Sequence, residues 1–269
     1  MIAERPAAEP TTTTRLLEVR GLSKSFRGLQ ALDGYSLDLP ALAIHGVIGP
    51  NGAGKTTLFH LLSGFLRPSS GSIAFDGRDI TGAPAYRVAR LGVGRTFQNI
   101  RLFGDLSVID NVMVGMQRDQ RPSVLATLLS TPAFRRRETA LEEAAMELLE
   151  LFGLGAARHR PARSLPYGDQ RRLEIARAVG LKPRVLLLDE PNAGMNPIET
   201  QELLGLIRRL RDELGITIIL VAHDIPLVMG LCERIQVLNY GKLIAEGDPA
   251  SVRANPEVIS AYLGKARHA

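Results

Sequence analysis

The sequence predicts an α/β fold, a layered sheet flanked by helices and interrupted by a long helical insertion, and three observations carry that expectation. First, short apolar runs of strand length at Val185–Leu188, Thr217–Val221 and Arg234–Leu238 alternate with helical patterns at Pro197–Leu214 and Ile225–Leu231. That order suits strands joined by right-handed crossovers. Second, a glycine-rich loop, GPNGAGKTT at Gly49–Thr57, sits between the apolar run Ala43–Ile48 and the helical pattern Lys55–Leu62. Third, strand signals stop between about Phe97 and Leu181, and helical spacing replaces them.

In chain order, residues 1–14 carry acids, prolines and four threonines with no apolar segment, so a disordered leader is expected there. Short β-type runs follow at Leu16–Val19, Ser36–Leu39, Ala43–Ile48 and Ser72–Phe75. The insertion, residues 97–181, offers helices at Val108–Met116, Ser123–Leu129, Arg135–Phe152 and Gln170–Val179. In the third of these Leu141, Ala144, Ala145, Leu148, Leu149 and Phe152 recur at three- and four-residue steps, one buried stripe opposite a charged face. Near the end, Asn239-Tyr240-Gly241 reads as a hairpin return into Lys242–Ala245. The division expected is one domain over 15–269, with 15–96 and 182–269 as the α/β core and 97–181 as the helical part.

With 269 residues, 45% of them apolar, the chain can bury a substantial core. Its net charge of +5 is too mild to demand a polyanionic partner. The basic runs Arg135–Arg137 and Arg208–Arg209 lie beside acids and read as solvated helix faces. Cys232 is the only cysteine, which excludes an intrachain disulfide or a cysteine-rich metal site and suits a reducing compartment. No run of about eighteen apolar residues occurs, so the chain is not expected to span a membrane by itself.

The loop carries specific chemistry. Gly49, Gly52 and Gly54 admit backbone conformations that turn successive N–H groups inward, where Asn51, Ala53, Gly54 and the residues behind them can cradle phosphate oxygens. Lys55 adds a positive charge between the outer phosphates, the Thr56 hydroxyl can ligate magnesium, and Thr57 continues a helix whose positive end faces the same point. Val185–Glu190, VLLLDE, is a buried strand that ends in two carboxylates. Asp189 can hold Mg²⁺ and Glu190 can polarise an attacking water, although a strand-end acid pair without such a loop is often merely solvated. Gln98 leaves the core at the entrance to the insertion, and a lone glutamine is usually a surface residue. In Leu165–Ala178, LPYGDQRRLEIARA, Gly168 opens an amphipathic helix, either a plain helix start or a second phosphate-binding one. His223, in VAHD, follows a buried strand and is a weak signal alone.

Taken in chain order, the phosphate loop, the Gln98 segment, the LPYG helix, the acid-tipped strand and the strand-end His223 resemble, in order and spacing, the nucleotide-binding domain of ABC transporters across nearly all of residues 16–264. The resemblance implies a P-loop NTPase core with a mixed sheet and flanking helices, an N-terminal antiparallel β subdomain and an inserted helical subdomain. It also implies ATP and Mg²⁺, with Phe26 stacking on adenine, Thr56, Gln98 and Asp189 managing the metal, and Lys55, Gln98, Glu190 and His223 acting in catalysis. Pro166, Tyr167, Gly168 and Asp169 resemble the signature that reaches the ATP of an opposite subunit. Two positions depart from the family pattern: Pro166 stands for its usual serine and Asn196 for the usual aspartate in the loop after the acid pair. Pro166 has neither a hydroxyl nor an N–H to donate, so the trans contact would rely on backbone groups and the helix start.

The stretches LPYGDQRRLEIARA, AGMNP and EGDPASVRANPEVISAYLG resemble more narrowly the ATPases of branched-chain (hydrophobic) amino acid importers of the LivG type. That implies an ATP-hydrolysing subunit peripheral to the cytoplasmic face of the inner membrane. Its partners would be a second ATPase subunit head to tail, two transmembrane permease subunits and, indirectly, a periplasmic solute-binding protein, with no nucleic acid. The rivals are a soluble ABC ATPase acting on nucleic acid or ribosomes, a lipopolysaccharide-export ATPase, and a subunit that binds ATP but leaves hydrolysis to a sister. Two ATPase domains or a long coiled coil would mark the first, a shorter insertion the second, and the intact Glu190 and His223 oppose the third.

Overall fold

The computed structural model describes residues 15–117, 132–222 and 225–263. Two sheets organise them. The first is antiparallel, with strands β1 (Arg15–Phe26), β2 (Leu29–Pro40), β4 (Ser70–Phe75) and β5 (Arg78–Asp79) in the order β2-β1-β4-β5. β1 and β2 run far beyond the short segments expected from sequence. Gly21 and Gly34 adopt positive φ, and the β1–β2 register shifts along its length, so apolar alternation breaks while pairing continues.

The second sheet has the order β10-β9-β3-β8-β7-β6, formed by β3 (Ile44–Ile48), β6 (Val93–Arg95), β7 (Val185–Asp189), β8 (Thr217–Val221), β9 (Arg234–Asn239) and β10 (Lys242–Gly247). β9, β3, β8, β7 and β6 pair parallel, and β10 closes one edge antiparallel. β3, β7 and β8 are buried on both faces, which is why they read as unbroken apolar runs. Alternate residues of each feed two cores. Ile44, Ile48, Leu186, Leu188, Ile218 and Leu220 point to one side of the sheet, and Val47, Val185, Leu187, Ile219 and Val221 to the other.

Helix α1 (Lys55–Leu62) follows β3, and α2 (Ala85–Leu91) leads into β6; neither α2 nor the three-residue β6 had a pattern long enough to announce it. The helices of the insertion are α3 (Val108–Met116), α4 (Pro132–Leu151) and α5 (Tyr167–Gly180). Ser107 and Asp110 form a capping box that starts α3. On α4 the expected stripe faces inward, with Ala145 and Leu149 buried and Leu141, Ala144 and Leu148 half-buried; Phe152 follows, buried. α3 crosses α5 so closely that a Cβ on Gly115 would overlap the Arg177 carbonyl. The helix expected at Ser123–Leu129 lies outside the described residues.

After β7 come α6 (Pro197–Asp212) and α7 (Ile225–Leu231), close to the predicted spans, then α8 (Pro249–Ala254) and α9 (Pro256–Leu263), which the sequence reading left without an assignment. Among the described residues no helix is long and apolar enough to cross a membrane.

Candidate nucleotide site

The C-terminal ends of β3, β8 and β7 lie side by side, the edge of a parallel sheet where ligands bind. From β3 the chain passes into Gly49–Thr57. Gly52 (φ 79°) and Gly54 (φ 103°) are left-handed there, and Gly54 caps α1 without any side-chain bond, so the first N–H groups of the helix remain directed at the loop's concavity. The Lys55 ammonium is buried beneath the loop, and its Nζ donates to the carbonyls of Gly49 (2.6 Å) and Pro50 (3.0 Å). Thr56, one residue on, is exposed.

A cleft of about 570 Å³ opens on this loop. Its walls are Leu29, Gln30 and Ala31 from the start of β2, residues 51–57, Gln98, Glu190 and Tyr240. The fold thus brings together Lys55, Gln98 and Glu190, which are far apart in sequence. Gln98 Nε2 donates to Glu190 Oε2 at 3.2 Å.

Glu190 adopts φ 49°, a left-handed conformation that costs a residue with a Cβ roughly 1–3 kcal/mol. Hydrogen bonds on both sides of its backbone sustain it: the Glu190 N–H donates to Val221 O (2.8 Å), and Arg171 Nη2 donates to the Glu190 carbonyl (3.1 Å). The turn swings the acid out of the strand line and into the cleft.

Asp189, the last residue of β7, is buried, and Arg95 Nη2 donates to its Oδ2 at 3.2 Å. Burial raises its pKa above the usual carboxylate range, an effect that the Arg95 guanidinium only partly opposes. Arg95 also donates to Ser63 Oγ (2.9 Å) and lies within 5.1–5.8 Å of the ring centroids of Phe59, Phe65 and Phe97. The oxygen donors that Thr56 and Gln98 present at the cleft wall suit a hard cation, whereas Asp189, buried against Arg95, is not among the described wall residues. Among the described residues no group of three or more His, Cys, Asp or Glu side chains is placed to hold a metal ion.

Against this geometry the comparisons are decisive. The family model for the ABC transporter matches residues 32–193, and a second model, for the branched-chain amino acid ATP-binding cassette transporter, matches residues 242–268. The chain belongs to the ABC transporter family. Within it, the chain is 47% identical to the high-affinity branched-chain amino acid transport ATP-binding protein BraF of Pseudomonas aeruginosa, over 93% of this chain and 98% of that protein. It is equally identical, with the same coverage, to the corresponding protein LivG of Escherichia coli K12. A crystal structure of the ADP conformation of MJ1267, an ATP-binding cassette of an ABC transporter, superposes with a TM-score of 0.81 at 29% identity, covering 94% of this chain and all of that one.

The cassette does not gather every residue the sequence singled out. Phe26 ends β1 42% exposed, with Lys24 Nζ 5.1 Å from its ring centroid; it adjoins the turn into β2 and does not figure among the cleft's described wall residues. Pro166, Tyr167, Gly168 and Asp169 are likewise absent from that wall among the described residues. They begin α5, where Pro166 is the N-cap, the Tyr167 ring packs over Gly194 and Gly168 lies against the Glu199 carboxylate. Asn196 caps α6, accepting from the N–H groups of Ile198 (2.9 Å) and Glu199 (3.0 Å). His223 lies outside the described residues.

Three participants escaped the sequence reading. Tyr240, 80% exposed on the β9–β10 turn, borders the cleft and was legible only as part of a hairpin signal. Arg95 and Arg171 gave no signal in sequence, because arginines in strands and helices ordinarily face solvent. In this cassette both are buried beneath the acid pair.

Proposed function

We propose that this chain is the ATP-hydrolysing subunit that powers a bacterial ABC importer, with branched-chain amino acids as cargo. The observation that carries the reading is the cleft itself, in which Gly49–Thr57 faces Gln98 and the out-turned Glu190. The cargo assignment rests on the similarity to BraF and LivG and on the match of residues 242–268, which also weighs against lipopolysaccharide export and nucleic-acid work.

In this reading loop N–H groups and Lys55 neutralise phosphate charge, and Phe26 offers a face to adenine. Glu190 accepts a hydrogen bond from the attacking water and orients it, while Gln98 holds the carboxylate through their mutual hydrogen bond. His223 stabilises the departing γ-phosphate. Thr56, Gln98 and Asp189 would hold Mg²⁺, which would supply positive charge to offset that of the phosphates. Pro166–Asp169, at the head of α5, serve the nucleotide of an opposite subunit, so two head-to-tail subunits enclose two ATP molecules. The division into a core at 15–96 and 182–269 and a helical part at 97–181 lets the second move on the first. Closure and reopening then pass to two permease subunits at the cytoplasmic face of the inner membrane, supplied by a periplasmic binding protein.

The test is Glu190→Gln. It is expected to bind ATP with wild-type affinity, lose at least a hundredfold in turnover, and elute as a dimer with ATP. Wild-type turnover in this variant refutes the role of Glu190. Co-purification with nucleic acid in place of membrane permeases refutes the importer setting.

A further inference from the structure

Among the described residues Arg171 is the largest side chain in the core with no solvent exposure, and nothing in the mechanism above uses it. It sits three residues after Gly168, one turn into α5, on the same rigid helix as the start that would serve the opposite subunit's nucleotide. Its guanidinium points the other way, into its own subunit. Nη1 donates to Phe97 O (2.6 Å) and Glu174 Oε2 (2.7 Å), and Nη2 donates to Gln98 O (2.8 Å) and Glu190 O (3.1 Å). Glu174, also buried, accepts from the N–H of Arg101 at 3.3 Å.

One planar group therefore fixes α5 to the main chain of Gln98 and Glu190, two residues of this subunit's own cleft wall. We propose that Arg171 is a positioning residue that couples the two ATP sites: engagement of α5 by the opposite subunit's nucleotide is transmitted through its guanidinium to Gln98 and Glu190 of this subunit's site. The proposal rests on the two-subunit reading above.

The geometry suits transmission because the fork is rigid. Its N–H groups diverge at fixed angles, so a shift of α5 must either carry the Gln98 and Glu190 carbonyls along or break these bonds. Glu190 adds sensitivity, since its strained backbone is held in part by the Arg171 bond. A lysine would keep the charge but cannot span three carbonyls and a carboxylate. Glutamine at both 171 and 174 removes the buried charges together and leaves no lone ion behind.

The experiment uses full-length chain carrying Arg171→Lys or the pair Arg171→Gln, Glu174→Gln. ATP affinity is measured with a fluorescent ATP analogue, and hydrolysis is followed across ATP concentration. Expected are an affinity within about twofold of wild type, a kcat at least tenfold lower, and a Hill coefficient that falls from above one to one. A structural role alone would lower affinity and kcat together and leave the Hill coefficient in place, and that result overturns the proposal. So do a non-cooperative wild type, variants that keep wild-type kcat and cooperativity, or loss of fold in both variants. ATP-dependent dimerisation of Glu190→Gln separates the two levels of failure. A chain that stays monomeric sinks the two-subunit reading and the coupling with it, whereas a dimer that forms normally while Arg171→Lys remains cooperative sinks only the coupling.

Discussion

His45, on β3 just ahead of the phosphate loop, makes the stability of this cassette depend on pH. It is 3% exposed, and its Nε2 is buried without a partner. Burial pushes its pKa down to about 4; Glu246 and Gln236 oppose the shift and Arg234 adds to it, so the folded chain holds a neutral imidazole that the unfolded chain, near 6.5, protonates readily. The stabilisation is complete above pH 6.5 and drains away as pH falls toward 4. The gap sets a ceiling of about 3 kcal/mol, of which about 2 kcal/mol is already lost at pH 5. Urea unfolding of wild type and His45→Leu at pH 7.5 and pH 5.0 measures it. The variant should lose less stability than wild type between the two pH values, by about 2 kcal/mol. Equal losses in both chains would refute the assignment of this pH dependence to His45.

Other perturbations read separate parts of the fold. Asn196→Ala removes both bonds of the α6 cap and should cost about 1 kcal/mol, a fall of about 2–4 °C in a thermal melt. Gly115→Ala drives a methyl into the Arg177 carbonyl and should cost about 1–3 kcal/mol, seen as a lower urea midpoint at unchanged m. Cys232 is buried and its thiol is pushed up to about 12, so at pH 8 alkylation should run roughly a thousandfold slower than for the unfolded chain. Equal rates in native buffer and in denaturant would place the thiol at the surface.

What was legible in the sequence follows from how locally each feature is encoded. β3, β7 and β8 needed only their own residues, because strands buried on both faces read as continuous apolar runs. The loop between β3 and α1 was equally local, its glycines at positions that adopt left-handed backbone. β1 and β2 were read at less than half their length because bulges and glycines interrupt the alternation that a two-residue period requires. β6 exists only because Val93–Arg95 pairs with β7, ninety residues on, and three residues carry no period. In the site, Gln98 and Glu190 were recognisable as types, but their hydrogen bond is tertiary. The burial of Arg95 and Arg171 runs against composition altogether, since only surrounding carbonyls, carboxylates and rings make a dry guanidinium tolerable.

Those two arginines hold the adjacent acids apart. Asp189 and Glu190 are adjacent, yet one lies sealed in the sheet edge against Arg95 and the other turns into the cleft. The separation depends on the left-handed backbone at Glu190, and a strained conformation persists only where its surroundings over-determine it. Its fastenings include the Val221 carbonyl at the end of β8, Arg171 on α5, the Ala193 N–H, which donates to the Glu190 carbonyl, and Gln98 from the segment leaving β6. No single one needs to be strong. Each comes from a different element of the fold, however, so the orientation of the acid depends on all of them together. An acid held that way keeps its orientation only while strand end, helix and loop agree.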